Sequence, residues 1–157
     1  MIQGVMVKNL IRHPDERGFF QELIRSTDDF FSEGFAQLSH SHMVEGVVKA
    51  WHIHKAQVDW WFVAAGIIKT ALYDKRESSP TYREMNEYDL GGPNKQIILK
   101  IPFGVAHGLK VMKGPADLIY VTSKTYDKDE EGRIAYDDKE IGYDWVQGKE
   151  ITNKNIT

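Results

Sequence analysis

The chain predicts an all-β protein. Short runs rich in β-branched and aromatic residues recur along it, each bounded by Gly, Pro, Asp or Asn, and no long stretch carries the three-to-four-residue apolar period of a helix. With 41% apolar and 27% charged residues over 157 positions, there is material for one core and one domain, residues 1–157.

Taken in order, Ile2, Val5, Val7 and Leu10 alternate closely enough to form an N-terminal strand suited to pairing with a neighbour's sheet edge. A turn at Arg17-Gly18 opens a strand containing Phe20. Asp28-Asp29-Phe30-Phe31 predicts one helical turn capped by Ser26 or Thr27. Strands follow at 47–54, 59–64, 67–73, 96–101 and 118–123, with a second short turn near 127–132. The tail, 148–157, is polar enough to need docking for order. This pattern is a sandwich or barrel with one or two short helices.

The charge balance, 20 basic against 23 acidic residues for a net of -3, gives no global attraction to nucleic acid or an anionic membrane, so an anionic ligand must be held by local Arg or Lys. The absence of cysteine excludes disulfides, thiolate zinc sites and a cysteine nucleophile. The first residues lack a secretory pattern, which predicts a cytoplasmic protein. The longest apolar run, 60–68, is too short to span a bilayer.

Chemistry concentrates around three histidines. His52 and His54 are two apart in a strand and share a face, and the turn Pro102-x-Gly104-x-x-His107 can bring a third imidazole beside them. Gly46-x5-His52-x-His54-x4-Asp59-x6-Gly66 resembles the first motif of metal-binding cupins, with Asp where Glu is usual. A divalent ion on His52, His54, Asp59 and His107 is therefore one reading. The favoured one is metal-free: the histidines bind or titrate in a polar pocket, and Asp59 caps a turn before Trp60-Trp61.

Six blocks decide between them. They are Asp15 to Glu22, Phe35 to Ser41 running on through Gly46 to His52, Asp74 to Thr81, Ile101 to Gly108, Tyr120 to Tyr126, and Glu131-Gly132 with Tyr136-Asp137-Asp138 before Trp145. In this order and spacing the chain resembles the dTDP-4-dehydrorhamnose 3,5-epimerase family. The resemblance implies a cupin-type double-stranded β-helix (jelly roll), a nucleotide-sugar substrate, no cofactor, and a homodimer with exchanged N-terminal strands. It also implies proton abstraction next to a ketone, with His52 as base and Tyr120 as the acid on the other face. Arg17 is implied as the diphosphate contact, its guanidinium fork matching phosphate oxygens. Phe20, Glu22, Gln37, Ser39, Lys49, His54, Asp59, His107, Tyr126, Glu131 and Lys154 fall at substrate-contact positions, Lys49 standing where Arg is usual.

The departures define the alternatives. Asp59 replaces the family lysine that holds the enolate, His54 replaces a glutamine, and the carboxylate that orients the base is represented at best by Asn155. One reading is an epimerase acting at carbon 3, carbon 5 or both, in which protonated His54 or His107 beside Asp59 supplies the missing charge. A second is a 3,4-ketoisomerase, whose His-x-His-Lys pattern resembles His52-Ile53-His54-Lys55. A third is the metal cupin, in which His52, as a ligand, cannot be the base. The fourth is a nucleotide-sugar binder without catalysis.

Overall fold

A computed structural model describes residues 1–93 and 96–146. Its strands are β1 (Met6–Asn9), β2 (Arg12–Asp15), β3 (Gly18–Gln21), β4 (Gln37–Met43), β5 (Val48–His54), β6 (Asp59–Asp74), β7 (Met85–Gly91), β8 (Ile97–Ile101), β9 (Val105–Thr122) and β10 (Glu131–Arg133). All pairings are antiparallel, in the order β1-β8-β6-β9-β5-β10, with β4 also on β9 and β7 also on β6. β2 and β3 form a separate hairpin.

The spine is the β6–β9 pair, in register from Asp59 opposite Thr122 to Asp74 opposite Val105. The sequence divides β6 in two at Ala65-Gly66, whereas the structure keeps one strand of 16 residues with register shifts at that point. Gly66 makes this possible. Its φ is +76°, and a Cβ there would stand 2.6 Å from the Pro115 carbonyl oxygen. The predicted strand 118–123 is likewise the end of the 18-residue β9.

Alternation fixes what each face does. Trp61 and Val63 turn into the central core with Ile68, Leu72, Leu99 and Val111. Trp60, one residue before Trp61 and on the opposite face, packs against Phe30 and Phe31, and its indole N–H donates to the Phe30 carbonyl at 2.9 Å. Phe30 and Phe31 belong to the one helical element among the described residues, a 3-10 turn at Asp29–Phe31. Its N-cap is Asp28, with no side-chain cap bond, so Ser26 and Thr27 are not the cap. The Asp28 carboxylate instead receives Lys8 Nζ and the Arg25 N–H. The 127–132 segment forms a hydrogen-bonded turn that leads into β10. No helix among the described residues is long and apolar enough to cross a membrane.

The N-terminal strand pairs within its own chain. Ile2 and Val5 are 1% and 2% exposed in the central core, and β1 covers the edge of β8. The hairpin that follows is different in character, with Phe19 and Phe20 largely exposed.

Candidate active site

One end of the roll holds a cavity of about 310 Å³, within the range of small-molecule sites. Strand alternation delivers its walls. On β4, Gln37 and Ser41 face inward while Leu38, His40 and His42 are exposed. On β5 the inward residues are Lys49, His52 and His54; β6 contributes Asp59 and Trp61; β9 contributes His107 and Tyr120. Glu130, Glu131 and Arg133 close the side formed by β10, which pairs with β5. Gly108, next to His107, lets β5 approach β9, since a Cβ there would lie 2.5 Å from that of Ala50.

His52 sits directly opposite His107 across the β5–β9 ladder, the rings stacked with centroids 6.3 Å apart. Its Nδ1 is 2.5 Å from Glu131 Oε1. Bonding there fixes the tautomer with the proton on Nδ1 and leaves the Nε2 lone pair for a substrate. Burial lowers the His52 pKa below its usual value, against the pull of Glu131, which raises it. The result is an oriented imidazole backed by a carboxylate, an arrangement that can accept a proton and stabilise the imidazolium formed. Tyr120 lines the same cavity from the far half of β9, flanked by Ser39 on β4 and Trp61 on β6.

A second histidine cluster lies deeper. His54 Nδ1 donates to Glu130 Oε2 at 2.9 Å, and Glu130 Oε1 receives the backbone N–H groups of Ala56 and Gln57 at 2.6 and 2.8 Å. Burial opposes ionisation of Glu130, but these bonds outweigh it and hold its pKa below the ordinary value. Asp59 accepts from Gln57 Nε2 at 2.7 Å and from the Trp61 indole at 3.1 Å. Burial pushes the Asp59 pKa up, against the attraction of His54 and these bonds. Burial, with His54 and His52 nearby, holds His107 well below the usual imidazole value.

Other positions predicted from the sequence divide cleanly. Gln37, Lys49 and Tyr126 line the cavity, and Ser39 is held to Gln37 at 3.0 Å. Lys49 Nζ donates to Ser41 at 2.7 Å, and burial lowers its pKa. Arg17, Phe20 and Glu22 are outside the cavity of this chain. Arg17 pairs with Asp15 at the hairpin turn with its side chain 81% exposed, Phe20 is 64% exposed, and Glu22 pairs with Arg25. Lys154 and Asn155 lie outside the described residues. The carboxylate behind His52 is Glu131, a residue the sequence assigns only to substrate contact. Glu130 and Gln57 carry no motif of their own; the acidic residues Asp127, Asp129, Glu130 and Glu131 beside a turn are the one local signal for Glu130.

Comparison with known proteins places this architecture. The family model described as dTDP-4-dehydrorhamnose 3,5-epimerase matches residues 1–156. The chain belongs to the dTDP-4-dehydrorhamnose 3,5-epimerase family. It is therefore a member of an isomerase family whose substrates are dTDP-sugars, and its fold is the cupin-type jelly roll. The spore coat polysaccharide biosynthesis protein SpsL of Bacillus subtilis (strain 168) is 45% identical over 148 residues, covering 92% of this chain and 97% of that protein. Among solved structures, the dTDP sugar isomerase from Desulfovibrio desulfuricans G20 superposes with a TM-score of 0.87 at 28% identity, covering 96% of this chain and 95% of that one. The dTDP-6-deoxy-D-glucose-3,5-epimerase RmlC from Legionella pneumophila Philadelphia 1, solved in complex with dTDP-4-keto-L-rhamnose, gives 0.81 at 28% identity, covering 94% and 81%.

Proposed function

We propose that the chain epimerises a dTDP-linked 4-keto-6-deoxyhexose at carbon 3, carbon 5 or both. The observation that carries this reading is the His52–Glu131 pair sharing a cavity with Tyr120. A ketone at carbon 4 acidifies the neighbouring C–H bonds. His52 Nε2 takes the proton from one face, with Glu131 stabilising the imidazolium, and the electron pair passes to the 4-oxygen. Tyr120 then returns a proton to the carbon from the other face, which inverts it. The 4-oxygen is assigned to the corner formed by His54, Asp59 and His107, where Asp59 stands at the position of the family lysine.

The whole chain, 1–157, acts as one domain. Homodimerisation supplies the remaining substrate contacts. The β2–β3 hairpin stands apart from the main sheet and carries Arg17 and Phe20 on its exposed surface, so exchange of this arm is the route by which they reach a diphosphate in the partner's cavity. β1 pairs with β8 of the same chain.

Incubation in heavy water with dTDP-4-keto-6-deoxyglucose tests the reading. Deuterium at carbon 3, carbon 5 or both is the expected result; migration of the keto group would indicate a ketoisomerase, and an unlabelled sugar a binding protein.

A further inference from the structure

Asp59 is an awkward residue to bury beside a developing oxyanion, and its surroundings suggest why it is there. It is 4% exposed, and two imidazole nitrogens stand near its carboxylate, His54 Nε2 at 3.8 Å and His107 Nε2 at 4.0 Å. Each of those rings has its other nitrogen engaged. His54 Nδ1–H is held by Glu130, and His107 Nδ1–H donates to the Val105 carbonyl at 3.1 Å. Both Nε2 lone pairs are therefore left on the side of Asp59. The three ligand atoms lie within 4.8 Å of one another.

This is the arrangement in which an outer hydrogen bond fixes the tautomer of a metal-ligating imidazole and turns its lone pair inward. Ligands bound about 2.1 Å from a shared ion stand roughly 3 to 4 Å apart, so the observed separations need a contraction of only a few tenths of an ångström up to about 1 Å. The carboxylate is oriented as well, by Trp61 on one oxygen and Gln57 on the other. Gln57 Nε2 also lies 3.2 Å from His54 Nε2, a bond it gives up to an incoming ion while keeping Asp59. His52 stays outside the group, because it is not among the three residues whose ligand atoms converge.

We propose that His54, Asp59 and His107 form a site for one divalent transition-metal ion in the depth of the cavity, separate from His52. Two imidazoles and one carboxylate suit Mn, Fe, Co, Ni or Zn and leave coordination positions open. The site's role rests on the epimerase reading: a bound cation supplies Lewis acidity at the sugar's 4-oxygen, where the family pattern has lysine. Base and cation then occupy different residues, which removes the conflict that arises if His52 is itself a ligand.

The test uses the full chain, made without an affinity tag, stripped with chelator and titrated with Zn²⁺ by calorimetry and with Co²⁺ by its visible spectrum. A His40→Asn/His42→Asn background removes the exposed pair that shares Asp117 on the outer face. One equivalent bound is the expected result. Asp59→Asn and His54→Gln should each weaken it more than roughly a hundredfold and Glu130→Gln about tenfold, the lesser loss typical of an outer partner. His52→Asn should bind as the parent does while losing deuterium exchange. No uptake by the parent, or uptake that His52→Asn removes as fully as Asp59→Asn, overturns the site. Exchange at an unchanged rate after stripping overturns the Lewis-acid role and leaves the epimerase reading standing. Stoichiometric uptake without exchange on any 4-keto sugar nucleotide removes the epimerase reading and leaves the metal site.

Discussion

Glu131 Oε1 lies 2.5 Å from His52 Nδ1, on a three-residue strand that pairs with the strand carrying the histidine. The pair makes a prediction about pH. A base must be neutral to act, and burial places His52 below its ordinary 6.5. The acid limb of the exchange rate should thus fall below pH 6.5. Glu131 raises the His52 pKa, so Glu131→Gln should slide that limb to still lower pH while reducing the plateau, through lost orientation and imidazolium stabilisation. A profile that keeps its midpoint in the variant would deny Glu131 its electrostatic role.

Tyr120 separates the two halves of inversion. Phenylalanine in its place keeps the ring between Ser39 and Trp61 but has no proton to give. Wash-in of deuterium at the original configuration should continue, because His52 both removes and returns that proton. Formation of the epimer should fall by about 10²–10⁴-fold. NMR of the sugar protons distinguishes the two products, and equal loss of both processes would mean Tyr120 serves only to shape the cavity.

How the sequence announced this site is uneven, for physical reasons. His52, His54 and His107 were legible because a period of two and a Pro-x-Gly turn are local rules. Glu131 as the partner of His52 was not, since 79 positions separate them and only the β5–β10 pairing brings them together. The strands show the same division. Trp60 and Trp61 read as one apolar run because both faces of β6 are covered, by Phe31 outside and by the core within. Gly66 reads as a break, but its left-handed backbone makes a bulge that keeps the ladder going. β7 carries little strand signal because Asn86, Glu87 and Asp89 dilute its apolar residues on a half-exposed strand.

Lys49 is a binding prediction. It lines the cavity, donates to Ser41, and has no carboxylate among its described contacts, while burial lowers its pKa. A cation left so incompletely compensated favours an anionic ligand. Lys49→Met should raise KM for the sugar nucleotide by about 10–100-fold, the worth of one hydrogen bond to a charged group, with a smaller change in kcat. A kcat loss at constant KM would move Lys49 from substrate binding to the chemical step.

Asp74 tests the scaffold rather than the site. Its side chain is fully buried at the end of β6 and accepts from Arg76 Nε and Nη2, Ser79 Oγ and Thr81 Oγ1 at 2.6–2.8 Å, while Arg76 reaches on to the Gln3 carbonyl. Burial alone would raise its pKa, but the bonds from Arg76, Thr81 and Ser79 outweigh it and hold the carboxyl far below its ordinary 3.8. A carboxylate depressed in this way stabilises the fold above the unfolded value, and that contribution disappears as pH falls through the folded one. Asp74→Ala should therefore cost about 3 kcal/mol at neutral pH, since it removes the shared acceptor of the part-buried Arg76 guanidinium and of the Ser79 and Thr81 hydroxyls. The gap between parent and variant should narrow once pH drops below 3.8. Urea unfolding of both proteins across that range measures it, and a gap that stays constant into acid would mean the loss comes from packing and not from the ionised network.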